Sequence, residues 1–248
     1  MEDIDQRVAI VTGAGQGIGR GIAQVLARHG AAVVVTDIDE ARAVESAALI
    51  TAEGGRATGI AHDAADPNAT NPIIHNAIEA YGRFDIMVNN AGIAAQMPFD
   101  EITVSDWDRL NSINQRGTFF AAQAAAKHFK EQQSGKIVNI SSFSGRKAVE
   151  EYLIYNATKA AVIMMTQTLA LELGPFNVNV NAICPGIVKT PIWDTLDPEQ
   201  WTRQEKQIPL RRGQTPEDIG EAVAFLASER SKNITGAVLA VTGGLAMF

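Results

Sequence analysis

The sequence predicts an α/β chain built on a parallel sheet with helices on both faces. Short, continuously apolar runs recur along it, each followed by a segment of helical character, and strands buried on both faces give such runs. The glycines and polar residues suited to chemistry gather where those runs end, at 13–19, 37, 63, 89–92, 142 and 185–190. Right-handed crossovers make such a sheet doubly wound, and its ligands bind beyond the carboxyl ends of the strands. No linker or low-complexity tract divides the 248 residues, so one domain over 1–248 is expected, a length that a single α/β unit can reach.

Taken in order, Val8-Ala9-Ile10-Val11 is the first strand, and 18–29 reads as a helix after a glycine-rich turn. The β-branched run 32–36 stops at Asp37, and the helix over 40–52 is closed by Gly54-Gly55. A strand near 57–61 leads to Asp63 and a helix over 67–81. Strand 84–88 ends in Asn89-Asn90-Ala91-Gly92, and a long helix runs from Ser105 to Glu131 with a bend near Asn114. Strand 136–140 ends at Ser141-Ser142, a helix through Tyr155 runs to Leu173, and strand 178–183 ends at Pro185-Gly186. A helix over 216–228 precedes a strand at 238–241. The result is a seven-stranded parallel sheet of the doubly wound, Rossmann-like kind.

Composition removes several function classes. Hydrophobic residues form 46% and charged residues 20% of the chain, as in an ordinary globular protein. A net charge of -7 without a Lys/Arg cluster argues against nucleic acid as a partner. The one cysteine, Cys184, excludes an intramolecular disulfide and suits a reducing cytoplasm. The acidic start, Met1-Glu2-Asp3-Ile4-Asp5, lacks a secretion signal's layout, and no run of about 20 apolar residues predicts a membrane span. His29, His62, His75 and His128 are scattered without ligand-like spacing, so no metal is expected.

The first turn reads Thr12-Gly13-Ala14-Gly15-Gln16-Gly17-Ile18-Gly19. Ile18 stands where G-x-G-x-x-G would place its last glycine, and the pattern present is T-G-x-x-x-G-x-G. Its glycines let backbone approach a pyrophosphate, and the helix amino end at Gly17-Ile18 supplies free N–H groups and a positive dipole. Asp37, ending the second strand, can accept from both hydroxyls of an adenosine ribose and would repel a 2′-phosphate. Neither Gln16 nor Ile38 offers a cation to offset it, so NAD is expected over NADP. The plainer reading of Asp37 is a cap on the following helix.

Tyr155 and Lys159 lie four residues apart and so share one helix face. A phenol ordinarily keeps its proton to about pH 10. An ammonium beside it favours the phenolate, which suits a proton donor and acceptor for carbonyl/alcohol interconversion.

With Thr12 to Gly19, Asn89-Asn90-Ala91-Gly92, Asn114, Ser142, Tyr155 and Lys159 in that order, the chain resembles the short-chain dehydrogenase/reductase family, in particular its NAD-dependent sugar, polyol and diol dehydrogenases. The resemblance spans nearly the whole length. It implies that Tyr155 is the general acid/base and that Lys159 lowers its pKa and binds the nicotinamide ribose. Ser142 would hydrogen-bond the substrate oxygen, and Asn114 would hold a water in a proton relay through Lys159. Ser142 is preferred to Ser141 because thirteen residues before the tyrosine is the family's commonest spacing. For the cofactor the resemblance implies Gly13, Gln16, Gly17, Ile18 and Gly19 at the pyrophosphate, with Asp37 and Ile38 at the ribose. Asp63 and Ala64 fall at the adenine, Asn90, Ala91 and Gly92 beside the adenosine, and Pro185, Gly186, Ile187 and Thr190 at the carboxamide. Two departures stand out: Thr242-Gly243-Gly244 where Asp-Gly-Gly is commoner, and Gln115-Arg116 in place of an apolar pair.

The substrate is less legible. An irregular lid is expected over about 190–215, with Trp193 and Trp201, although such a segment also suits packing on a neighbouring subunit. Between Ser142 and Tyr155 the chain is polar, and Ser144 or Glu150 is expected to meet further substrate hydroxyls; the alternative is charge facing solvent. The resulting expectation is an NAD-dependent oxidoreductase interconverting a secondary alcohol and a ketone on a small polyol, sugar or diol. A 3-oxoacyl-carrier-protein reductase is disfavoured by Asp37 and the net negative charge. A dinucleotide-sensing scaffold is disfavoured by the four intact catalytic positions. The resemblance and the apolar tail Leu245-Ala246-Met247-Phe248 imply a homotetramer.

Overall fold

The computed structural model describes residues 4–190 and 198–248. Seven strands, β1 (Val8–Val11), β2 (Ala32–Asp37), β3 (Arg56–Ala61), β4 (Ile86–Asn89), β5 (Gly135–Ile140), β6 (Val178–Pro185) and β7 (Val238–Val241), form one sheet ordered β3-β2-β1-β4-β5-β6-β7. Every pairing is parallel. Order reverses between β1 and β4, so the crevice at their carboxyl ends is the natural ligand site.

The pleat sorts side chains between two cores. Ala9, Val11, Val33 and Val35 face α1 (Gly17–Arg28), α2 (Glu40–Ala52) and α8 (Pro216–Ala227). Val8, Ile10, Ala32 and Val34 face α3 (Thr70–Tyr81), α5 (Thr118–Gln132) and the end of α6 (Leu153–Leu173). β1, β2, β4 and β6 are buried throughout, whereas the edge strands β3 and β7 are mostly half-buried. α1 and α8 approach closely because glycine faces bulk: a Cβ on Gly21 would collide with Pro216, and one on Gly220 with Val25.

The long helix expected through Asn114 is three pieces. α4 (Val104–Asn111) and α5 flank a wider π turn, Ser112–Gly117, which turns Asn114 inward to full burial. The expected irregular lid also needs correcting, because Pro198–Gln207 is a helix, α7. Its signals are a proline at the start, Glu199 in the first turn and Lys206 in the last. Residues 191–197, and with them Trp193, lie outside the described residues. Past α7 the chain is tied back beside the site, since Val188 bridges Gln214 in parallel and Lys189 N–H donates to the Gln214 carbonyl (2.8 Å).

Candidate active site

The first βα turn is held by its own contacts. A Cβ on Gly13 would lie 2.8 Å from Ala91 Cα, and one on Gly19 only 2.3 Å from the Gly13 oxygen. Gly17 differs: its φ is +56° and the nearest atom to its missing Cβ is Thr190 Cγ2 at 3.5 Å. Gly17 and Thr190 thus leave a passage over the start of α1, whose amino end has no side-chain cap and no acidic residue in its first turn. α2, α4 and α8, in contrast, are closed by Asp39, Thr103 and Thr215, whereas α3, α5 and α6 also start without a side-chain cap. An open, positively polarised helix end beside a glycine fits a dinucleotide pyrophosphate. Gln16 is exposed at the N-cap, and Ile18 and Gly19 begin the helix beneath it.

Asp37 sits at the end of β2, buried, with Oδ2 accepting from Gly15 N–H (3.0 Å) and Oδ1 from Asp39 N–H (3.1 Å). It therefore holds the glycine loop from the end of β2. The cap on α2 is Asp39, which accepts from Ala41 and Arg42 N–H, so the plainer reading of Asp37 fails. Ile38 is exposed beside it. Asp63 is exposed beyond the end of β3 and accepts from Ala65 N–H (2.8 Å), with half-buried Ala64 between them. Arg116 donates to the Ala65 carbonyl (3.1 Å), which gives the unusual Gln115-Arg116 pair a purpose: it ties the π turn to the segment after β3. Asn90 Nδ2 donates to the carbonyls of Thr12 (2.8 Å) and Gly13 (3.0 Å), while Thr12 Oγ1 accepts from Asn90 and Ala91 N–H (3.0 Å each).

The catalytic candidates converge at the ends of β4, β5 and β6. Lys159, buried on α6, donates from Nζ to the Ile140 carbonyl (3.0 Å) and lies 5.7 Å from the Tyr155 ring centroid. Gly92 keeps space between Lys159 and Asn114, where a Cβ would be 3.2 Å from Nζ and 3.3 Å from Oδ1. Asn114 clamps the strap after β4: Oδ1 accepts from Ile93 N–H (2.8 Å), and Nδ2 donates to the Ile93 carbonyl (2.8 Å) and Thr158 Oγ1 (3.2 Å). Its side chain is thus a structural clamp before anything else. Pro185 ends β6; Gly186 and Ile187 carry the chain onward to Thr190, opposite Gly17.

The electrostatics depart from expectation. Burial pushes the Tyr155 phenol above its ordinary range; Ser142 opposes by hydrogen bonding, and Tyr152 and Cys184 push the same way as burial. Lys159 is lowered to about 8 by burial, against a smaller raising effect from Cys184. The net direction for the phenol is thus upward, set by burial, where the lysine alone was expected to bring it down. Both groups have lost water and each favours its neutral form, and the ammonium is aimed at a carbonyl rather than at the phenolic oxygen.

Sequence reasoning gave Cys184 and Ser141 no role in the site. The thiol is fully buried and raised by burial, while the Ser141 hydroxyl, Ser142 N–H and the charges of Arg146 and Lys159 oppose this. Ser141 Oγ donates to the Lys159 carbonyl (2.7 Å), anchoring α6 to the end of β5. Of the two candidates for substrate hydroxyls, Ser144 is buried and donates to Ser142 Oγ (2.9 Å) instead. Glu150 is exposed without a hydrogen bond or ion pair among the described residues, whereas its neighbour Glu151 accepts from Gln96 (2.6 Å). No group of three or more His, Cys, Asp or Glu able to hold a metal lies among the described residues.

A doubly wound sheet with an open helix end at its first turn, and buried Ser142 and Lys159 beside half-buried Tyr155 beyond its strands, defines a dinucleotide-dependent oxidoreductase. Comparison with known proteins narrows the class. A family model described as enoyl-(acyl carrier protein) reductase matches residues 13–246. A diacetyl reductase [(S)-acetoin forming] of Staphylococcus epidermidis ATCC 12228 is 38% identical over 96% of this chain and 98% of its own. An L-2,3-butanediol dehydrogenase of Corynebacterium glutamicum is 39% identical over 96% and 98%. A solved structure described as a short-chain alcohol dehydrogenase of Sinorhizobium meliloti 1021 superposes with a TM-score of 0.92 at 36% identity, covering 98% of this chain and 97% of that one. The chain belongs to the short-chain dehydrogenase/reductase family. It is a nicotinamide-dinucleotide-dependent oxidoreductase that interconverts an alcohol and a carbonyl.

Proposed function

We propose that this enzyme is an NAD-dependent dehydrogenase of small polar secondary alcohols, with vicinal diols first among polyols and sugars. The observation that carries the NAD assignment is Asp37, buried, anionic and fixed at the end of β2, where a 2′-phosphate would meet like charge. The diol assignment draws on the two relatives named for acetoin and butanediol chemistry.

In this reading Gly13, Gln16, Gly17, Ile18 and Gly19 hold the pyrophosphate, and Asp37 and Ile38 the ribose. Asp63 and Ala64 border the adenine, with Asn90, Ala91 and Gly92 along the adenosine. Pro185, Gly186, Ile187 and Thr190 lie at the nicotinamide end, where Tyr155 and Lys159 reach its ribose. A bound dinucleotide would supply the hydride chemistry, in either direction, at the nicotinamide end of this set of residues. Tyr155 takes the substrate's hydroxyl proton at its phenolic oxygen during oxidation and returns it during reduction. Ser142 donates to the same substrate oxygen, and Lys159 supplies positive charge nearby. Asn114 holds the Ile93 strap that keeps Gly92 open beside Lys159. A phenol raised by burial favours the proton-donating form near neutrality, so reduction suits neutral pH and oxidation suits alkaline pH. The 190–215 segment serves as the lid, the chain works as one domain in the cytoplasm, and four copies assemble.

The test is a panel of diols, polyols, sugars and simple secondary alcohols with NAD and with NADP, followed by the absorbance of the reduced cofactor. Higher kcat/KM for vicinal diols with NAD is expected; preference for NADP, or no turnover of any alcohol, sinks the reading. A 3-oxoacyl thioester belongs in the panel, because the matching family model is described by acyl-carrier chemistry.

A further inference from the structure

Ser142 lies at the amino end of a short 3-10 turn, Phe143–Gly145, with its hydroxyl inside the turn. Two donors converge on that oxygen, the Ser144 N–H at 3.2 Å and the Ser144 hydroxyl at 2.9 Å. Both serines are buried, at 6% and 5% exposure, so water does not compete for these bonds. A hydroxyl has one proton to donate and two lone pairs to accept with. When both lone pairs are occupied from within the turn, the proton is all that remains. The hydroxyl is left as a donor in one direction, and its oxygen is polarised by the charge it accepts.

We infer that Ser144 is a positioning residue for Ser142: its hydroxyl fills the second lone pair of Ser142 Oγ and so commits the Ser142 proton to the Tyr155 side of the site. The inference rests on the proposed role of Ser142 at the substrate oxygen. It replaces the expectation that Ser144 meets substrate itself. The opposite orientation, with Ser142 donating to Ser144, would leave Ser142 without a proton for a developing oxyanion. The two orientations predict opposite outcomes when the Ser144 hydroxyl is removed. A free Ser142 proton leaves activity intact or raises it, whereas a Ser142 that has lost its fixed direction lowers it. The effect also reaches the phenol, because a Ser142 donor stabilises the Tyr155 phenolate. The other groups facing Tyr155 are Tyr152, Lys159 and Cys184, with Arg146 acting on Cys184, and the substitution changes none of them.

The experiment compares wild type, Ser144→Ala and Ser144→Thr, with Tm measured for each. For a turned-over diol with NAD, kcat is expected to fall roughly three- to tenfold in Ser144→Ala, the size of one hydrogen bond, while KM stays within about twofold. In parallel, alkaline pH jumps without substrate read phenolate absorbance, with Tyr155→Phe identifying the Tyr155 contribution among the three tyrosines. The Tyr155 transition is expected to move up in Ser144→Ala and to return in Ser144→Thr. Unchanged kcat and an unchanged transition in Ser144→Ala overturn the inference, as does a Thr variant that is folded but as impaired as Ala. If Ser144→Ala does not fold, Ser144→Cys keeps the volume with only a weak donor and is expected to show the same two shifts. Should wild type turn over no alcohol at all, the proposed function falls, while the phenolate titration still decides the role of Ser144.

Discussion

Lys159 is a cation kept where a cation is disfavoured. Its ordinary pKa of 10.5 is brought to about 8 by burial. Between those values the unfolded chain binds a proton that the native chain has released, so this group makes stability rise with pH across that window. Below pH 8 the full penalty applies, about 3 kcal/mol from the size of the shift. Lys159→Met removes the charge at similar length but leaves the Ile140 carbonyl without its donor, which costs about 1–3 kcal/mol. The Met variant is therefore expected to be inactive, yet to melt higher than wild type at pH 7, with the advantage gone by pH 10. Thermal melts at both pH values check this, and an equal or lower Tm at pH 7 would refute it. The same burial sets the pH behaviour of catalysis. With Tyr155 raised, kcat/KM for oxidation is expected to climb with alkalinity and that for reduction to fall; the opposite slopes would remove Tyr155 as the proton carrier. The spacing of Tyr155 and Lys159 exposed the pair in the sequence, but not the direction of either shift. That depends on how completely β5, β6 and the 143–152 segment exclude water from a helix face that residue order alone leaves open.

Among the elements, the first turn separates glycines that serve packing from one that serves ligand. Gly19→Ala would force a Cβ to within 2.3 Å of the Gly13 oxygen and 2.5 Å of Asn90 Nδ2, inside a turn already tied to β4. Gly17→Ala meets only ordinary contact at Thr190, and its φ of +56° adds strain of about 1–2 kcal/mol. Gly19→Ala is thus expected to lower Tm the more, while Gly17→Ala keeps most of its stability and chiefly raises KM for NAD. Paired melts and cofactor titrations test the split, and a larger Tm loss in Gly17→Ala would reverse the assignment. These roles were invisible in the motif, where all four glycines look alike. The strands were legible because burial on both faces leaves only apolar residues to use. α7 was not, because Pro198–Gln207 offers Trp201 and little other apolar periodicity, and its proline and charges suit a loop equally well. The π turn at Ser112–Gly117 likewise has no pattern of its own; the extra residue shows only once Asn114 is seen clamped to Ile93.

For the whole molecule, alternation of strands and helices was enough to give the doubly wound sheet, and it points to the carboxyl edge as the place of the candidate site. What covers the outside of the sheet's helices was less visible. α6 presents Leu153, Ala157, Ala160, Met164, Thr168 and Leu171 to solvent, an uncharged stripe at three- and four-residue spacing along one face. Phe119 on α5 and Trp107 on α4 are exposed as well. An apolar surface of this kind is costly to leave in water, and a second copy of the same face is self-complementary across a two-fold axis. With exposed Leu239 on the edge strand β7 and exposed Met247 in the tail offering another face, the expected assembly is a tetramer of 26.5 kDa chains. Light scattering should return about four times the chain mass, and a monomer mass would contradict it. Met164→Glu places a charge at the middle of the α6 stripe and is expected to dissociate that interface. Tyr155 and buried Lys159 ride on the same 21-residue helix, so loss of assembly should also lower kcat by loosening their anchorage to β5. A dissociated Met164→Glu enzyme with wild-type kcat would show instead that Ser141 and Ile140 hold the catalytic helix without help from a neighbour.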